Sequence, residues 1–192
     1  MSLSVVQPPW KLKPTPSLHH TQKHWLRRAG ALTTALRELG SLNLRVIDEY
    51  SCGLSKDEAR CLKLPCKSPV WVREVVMSID GTDCVVARSI APLVASHGTW
   101  QGMRRLKSRP LADLLYKQRS IVRSAFEVVR LNRAIPLNKT AERVTGSQVN
   151  HKLRHALHAR RSVFWRYGYP LLVAECFLPA FWLKTLNAGK KK

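Results

Sequence analysis

The hydrophobic positions change period along the chain, and the changes divide it into helices near the front and strands through the middle and end. From Thr21 to Leu39, Trp25, Leu26, Ala29, Leu32, Ala35, Leu36 and Leu39 recur at three- and four-residue intervals, the period of a helix with one buried face. Gly30 is expected to break this helix into two pieces and Gly40 to end it. Leu42, Leu44 and Val46 then alternate with Asn43 and Arg45, as in a strand buried on one side. The segment from Ser51 to Pro69 carries three cysteines, several charges and two prolines, and reads as a loop.

The stretch Val70 to Ala91, VWVREVVMSIDGTDCVVARSIA, is the strongest strand signal, because Asp80-Gly81 between runs rich in Val and Ile predicts a hairpin. A two-residue loop pairs Ile79 with Thr82, Met77 with Cys84, Val75 with Val86 and Arg73 with Arg88. Trp71, Arg73, Val75, Met77 and Ile79 then share a face with Cys84, Val86, Arg88 and Ile90. Two guanidinium groups facing each other on an apolar surface repel and are costly to bury. A bound anion would resolve both difficulties; exposure to solvent, or pairing with Glu74, Asp83 or Glu175, would do so without a ligand. A loop longer by one residue would put the pair on opposite faces.

Beyond Pro92, the stretch from Ser96 to Lys117 predicts two short helices around Arg109-Pro110, and Ser120 to Leu131 a third long strand, with a helix as the alternative. In that strand Ile121, Arg123, Ala125, Glu127 and Val129 share one face. Residues 134 to 157 read as a polar, basic insertion, with a helix expected from Ser147 to Ala159. Arg160 to Arg166 and Leu171 to Leu178 form a second hairpin around Gly168. Residues 1–20 are Pro-rich and expected to be an extended arm, 21–183 a single domain, and 184–192 a basic, solvated tail. Hairpin-linked strands with helices grouped outside them predict an α+β fold, a single antiparallel sheet flanked by helices.

Composition narrows the partners. With 33 basic and 12 acidic residues the net charge is +21, which suits nucleic acid, an acidic surface or a small anion. Five cysteines, an odd number with no CxxC, indicate neither a disulfide framework nor a zinc site, and reduced thiols fit the cytoplasm. The N-terminus lacks the basic and apolar regions of a signal peptide. The apolar run Leu171 to Leu183 contains Glu175 and is too short to span a bilayer.

Glu175 is one carboxylate in the apolar strand LLVAECFLP, on a face with Leu171, Val173 and Phe177. Burial there would suit proton transfer or a hydrogen bond to ligand, and an ion pair with Arg73 or Arg88 is the structural alternative. His151, His155 and His158 would line one helical face, but with Lys152, Arg154, Arg160 and Arg161 around them and no carboxylate or cysteine, a basic solvated face is the better reading than a metal site. Phe164, Trp165 and Tyr167 could stack on bases, yet they fall in a core hairpin. A Gly-rich phosphate loop, GxSxG and zinc motifs are all missing.

Two segments carry a family resemblance. WVREVVMSIDGTDCVVARSIAP resembles the central strand pair of the chorismate pyruvate-lyases, which read close to W-L-R-E, a D-G turn and G/A-R before V-x-P. HARRSVFWRYGYPLLVAECFLPA is similar to that family's W-x-R-R-S followed at the same spacing by P-L-L-x-x-E-x-F-L-P, and AGALTTAL and SRPLADLLY extend the likeness over most of residues 24 to 180. The resemblance implies an antiparallel sheet enclosing a buried site that converts chorismate to 4-hydroxybenzoate and pyruvate, supplying the ring precursor of ubiquinone. It also implies that Arg73 binds the ring carboxylate with backbone groups at Leu32 and Leu111, that Glu175 contacts the hydroxyl-bearing end, and that no metal or organic cofactor takes part. Arg88 is assigned to the enolpyruvyl carboxylate from the hairpin register alone. Leu32 stands where some relatives have Met, and His158 where Trp is frequent. The expected partner is the chorismate dianion, bound by a monomer. Two other readings are a non-catalytic small-anion-sensing domain of the same fold and a basic nucleic-acid-binding protein, which is disfavoured. The excess charge exceeds what one dianion needs, and steering or weak association with an acidic membrane surface would use it.

Overall fold

Two tight turns set the architecture. Asp80-Gly81 and Tyr167-Gly168 each place both central residues at positive φ, 48° and 76° in the first and 49° and 78° in the second, the geometry that matches the twist of antiparallel strands. The computed structural model describes residues 9–116, 118–146 and 157–189. In chain order these form α1 (His20–Arg27), α2 (Leu32–Arg37), β1 (Leu42–Gly53), α3 (Lys56–Leu62), β2 (Pro69–Ile79), β3 (Thr82–Pro92), α4 (Leu93–His97), α5 (Gln101–Arg104), α6 (Ala112–Leu115), β4 (Val122–Arg123), β5 (Glu127–Arg130), α7 (Pro136–Thr145), β6 (His158–Arg166), β7 (Tyr169–Phe177) and α8 (Pro179–Gly189). The strands form one sheet in the order β1-β2-β3-β7-β6-β4, with β5 also beside β6, and every pairing is antiparallel. The expected α+β architecture is the observed one. Among the described residues no helix is long and apolar enough to cross a membrane.

The first hairpin departs from the expected register. Ile79 pairs with Thr82 and Ser78 with Asp83, but Met77 then pairs with Val85, leaving Cys84 as an extra residue. The bulge is held on both sides: Ser78 Oγ donates to Asp83 at 2.6 Å, and the Cys84 carbonyl accepts the Leu178 amide at 2.8 Å. Every later pair shifts by one, so Arg73 faces Ser89 and Glu74 faces Arg88. Arg73 and Arg88 therefore lie on opposite faces, as a one-residue slip dictates. A second bulge, at Ile47 in β1, brings Glu49 opposite Arg73.

One face of the sheet carries Val75, Met77, Val85, Ala87 and Phe177 and is covered by Trp25, Leu26, Leu32 and Leu36 of α1 and α2 and by Phe181 of α8. The other face packs Val76, Val86, Ala174 and Cys176 against Leu137 and Ala141 of α7, and Val72, Ile90 and Leu172 against Leu62 of α3.

Several expected boundaries move. The loop assigned to Ser51–Pro69 contains the end of β1 and all of α3. A capping box starts that helix: Ser55 Oγ accepts the Glu58 amide and the Glu58 carboxylate accepts the Ser55 amide, both at 3.2 Å. The expected long strand from Ser120 to Leu131 is interrupted between Arg123 and Glu127, where the Ser124 amide turns to the Val163 carbonyl at 2.8 Å. The basic insertion contributes α7, whose Leu137 and Ala141 enter the core. His158 and Ala159 belong to β6, not to a helix from Ser147, so His158 does not share a helical face with His151 and His155; positions 147–156 of the expected helix lie outside the described residues. The arm is pinned from Trp10 onward, since Trp10 is buried and Lys11 exchanges two backbone hydrogen bonds with Val128. The tail assigned to 184–192 begins inside α8.

Candidate active site

Alternation along five strands brings polar side chains to the helix-covered face at one level. Arg73 sits opposite Ser89, Ser89 opposite Val173 and Val173 opposite Ser162. Two residues further along lie Ala87, Glu175 and Arg160, again cross-strand partners. In the other direction Phe164 faces both Leu171 and Arg123 of β4. These side chains line a cavity closed from above by Gly30, Leu32, the Pro110–Tyr116 segment and Phe126, with about 630 Å³ of space that includes its opening to solvent. The walls are mostly apolar, through Leu32, Val75, Met77, Leu115 and Phe164 among others.

Arg73 is almost wholly buried and donates to the Glu49 carboxylate, to the Lys107 carbonyl and, at 3.4 Å, to the Arg109 carbonyl. Glu175 accepts from Arg160 Nε at 2.6 Å, and Arg160 Nη1 donates to the carbonyls of Trp25 at 3.0 Å and Arg28 at 2.9 Å. Arg160 thus ties the α1 end to the sheet and holds Glu175 in the cavity wall. Tyr116 crosses the mouth: its hydroxyl donates to the Gly30 carbonyl at 2.9 Å and accepts from Arg123 Nη1 at 3.2 Å. Burial raises the Tyr116 pKa; Glu175 adds to the rise, while Arg123 and Arg160 oppose it. Among the charged side chains lining the cavity, Arg73, Arg123 and Arg160 stand against Glu175, three positive charges less one negative, leaving two. Glu49 offsets part of this from the rim.

The structure brings Arg73, Glu175, Leu32 and Leu111 together around this space and leaves Arg88 out of it. Arg88 points from the far face and donates to Glu58 at 2.8 Å, Glu74 at 2.6 Å and Tyr50 at 2.7 Å. Burial works against its charge, but Glu58 and Tyr50 outweigh that and raise its pKa. The predicted arginine pair is corrected accordingly: the bulge at Cys84 exchanges Arg88 for Ser89 opposite Arg73. Two cavity cations, Arg123 and Arg160, were not foreseen. Counting back from the Gly168 turn would have placed Arg160 opposite Glu175, so that residue was within reach of the sequence.

A family model described as "Chorismate lyase" matches residues 6–187. A "Probable chorismate pyruvate-lyase" from Bordetella avium (strain 197N) is 55% identical over 176 residues, 92% of this chain and 86% of that protein. A "Probable chorismate pyruvate-lyase 1" from Pseudomonas fluorescens (strain Pf0-1) is 37% identical over 183 residues, 95% of this chain and 96% of that protein. Among solved structures, the effector domain of PhnF from Mycobacterium smegmatis superposes with a TM-score of 0.52 at 13% identity, covering 79% of this chain and 90% of that one, a likeness of fold alone.

Proposed function

The chain belongs to the chorismate lyase family, and we propose that the cavity on the Arg73 face is where it converts chorismate to 4-hydroxybenzoate and pyruvate. The observation that carries the reading is the pairing of a buried cation, Arg73, with a carboxylate, Glu175, on one wall of a single small cavity. Chorismate has a ring carboxylate at one end and a hydroxyl at the other. Arg73 takes the carboxylate, with backbone groups at Leu32 and Leu111, and Glu175 meets the hydroxyl end. A guanidinium has five N–H donors. Three hydrogen bonds of Arg73 go to protein acceptors, which leaves donors for a ligand.

In the reaction the C4 proton leaves, the C3–O bond breaks, and its electron pair departs with the enolpyruvyl oxygen. The resulting enolate gains a proton and becomes pyruvate, while the ring becomes aromatic. Aromatisation supplies the driving force, so the protein's work is to hold the dianion, favour charge on the departing oxygen and assist the proton. Glu175 serves in that proton transfer or in the hydrogen bond that fixes the hydroxyl beside it. The reading includes a cytoplasmic monomer without metal or organic cofactor, feeding ubiquinone synthesis.

The test is to incubate the purified protein with chorismate, without added metal, and to identify both products by chromatography. The Glu175→Gln variant should lose about 100- to 10,000-fold in kcat. Wild-type turnover by that variant would remove Glu175 from the mechanism.

A further inference from the structure

The lyase reading leaves the second carboxylate of chorismate, on the enolpyruvyl group, without a receptor, because Arg88 lies on the far face. We propose that Arg123 binds it. The inference rests on that reading and on an account of donors in the cavity. Arg73 has three hydrogen bonds to protein acceptors, one of them Glu49. Arg160 likewise has three, one of them to Glu175. Arg123 has one, from Nη1 to the Tyr116 hydroxyl, and among the described residues it has no carboxylate partner. Four of its five N–H groups are therefore available, enough for the two parallel bonds that a guanidinium makes with a carboxylate.

Position supports the same assignment. The Arg123 and Arg160 guanidinium carbons lie 4.2 Å and 4.3 Å from the centroid of one ring, Phe126. Arg160 in turn holds Glu175 at 2.6 Å. Arg123 and the carboxylate assigned to the C4 hydroxyl line the same cavity and both act on the Tyr116 phenol, which puts them on one side of the space, as the enolpyruvyl ether on C3 is beside that hydroxyl on the ring. Its stacking on Phe126 holds the guanidinium plane over apolar surface, where a charge-assisted bond is worth more than in water. Arg123 is only half-buried and sits at the mouth beside Tyr116. A bound carboxylate there would displace the phenol from Nη1 or share that donor with it.

The assignment separates substrate from product. Chorismate has two carboxylates, whereas 4-hydroxybenzoate has only the one assigned to Arg73. In the Arg123→Gln variant, kcat/KM for chorismate should fall about 10- to 100-fold, the loss typical of one charge-assisted contact. Affinity for 4-hydroxybenzoate, measured by calorimetry, should stay within about twofold of wild type. Arg123→Lys, which keeps the charge without the fork, should lie between them. Retained binding of 4-hydroxybenzoate also shows that the variant is folded with an intact cavity. If the two ligands weaken together, or if kcat/KM for chorismate is unchanged, Arg123 is not the receptor. Chorismate binding is titrated in parallel with turnover. A wild-type protein that binds chorismate but forms no product would sink the lyase reading, while the ratio of the two affinities in the variant still decides the role of Arg123.

Discussion

The two faces of the sheet both bury arginines, and they treat them in opposite ways. On the far face Arg88 is answered by Glu58 and Glu74, and Arg161 by Asp57 and Glu127, at 2.6 to 3.0 Å. Further donors complete the carboxylates: Thr140 and Arg143 reach Glu74, and the Trp10 indole reaches Asp57. Two arginines thus face four carboxylates, with only the half-exposed Arg143 added. On the cavity face, three arginines face Glu175 inside the space and Glu49 at its edge. The far face is closed and carboxylate-rich; the cavity face is cation-rich and has room. A buried charge needs a partner; Arg73 and Arg160 have one carboxylate each, and the positive charge left over on the cavity face is assigned to the ligand. Arg73 and Glu74, or Arg160 and Arg161, are adjacent in sequence yet point to different faces, one lining the cavity and one paired in the far-face ion network.

Removing a far-face arginine should produce the largest loss. Arg88→Met takes the cation from buried Glu58 and leaves buried Glu74 with only the half-exposed Arg143. Such a lesion costs about 3–5 kcal/mol, which urea titration reads as a lower midpoint. An unchanged midpoint would mean that the far face is not the structural half of the pair.

A cavity-face arginine should fail differently. Arg73→Ala leaves Glu49, whose side chain is 27% exposed, free to hydrate, and opens space that water can enter. The expected cost in stability is about 1–2 kcal/mol, whereas kcat/KM for chorismate should drop about 100- to 1,000-fold through loss of the ring-carboxylate contact. Comparable losses of stability in the two variants, with activity kept in the second, would erase the distinction between the faces.

This division was only partly legible in the sequence. The turn residues located both hairpins, and Asp80-Gly81 and Gly168 lie at their tips as expected. The second hairpin has no bulge, and its register follows directly from its turn. In the first, the extra residue at Cys84 depends on a hydrogen bond to Leu178, far along the chain, which no local pattern announces. That one residue moved Arg88 from the cavity to the far face. The break between β4 and β5 hid Arg123 in the same manner: a continuous strand would put it on one face with Glu127, whereas Arg123 lines the cavity and Glu127 pairs with Arg161. The helix α3 was the opposite case, since the Ser55 to Glu58 capping spacing was on view in a segment read as a loop.

The smallest expected effect compares the faces through thiol chemistry. Cys61 lies on α3 against the far face, and burial pushes its thiol up to about 11, with Arg161 opposing and Glu127, Asp57 and Glu58 adding to the rise. The thiolate is the reactive form, so with iodoacetamide near neutral pH the exposed Cys66 should be alkylated well before Cys61. The sign for stability follows from the same shift. Below the unfolded thiol's value of about 8.5 the proton is bound in both states and the contribution is fully present. As pH rises from there toward about 11, the unfolded chain releases a proton that the folded protein keeps, and stability falls. A Cys61→Ala variant should lose this thiol's share of the alkaline dependence, while Cys52, Cys84 and Cys176, which burial also raises, keep theirs. In contrast, a thiol introduced by Ser162→Cys would face Arg73, Arg123 and Arg160 across the cavity, so in Cys61→Ala protein it should alkylate at lower pH than Cys61 does in wild type. Chorismate or 4-hydroxybenzoate should protect that new thiol and leave Cys66 unaffected. If Ser162→Cys needed the higher pH of the two, the cation-rich character assigned to the cavity would be wrong.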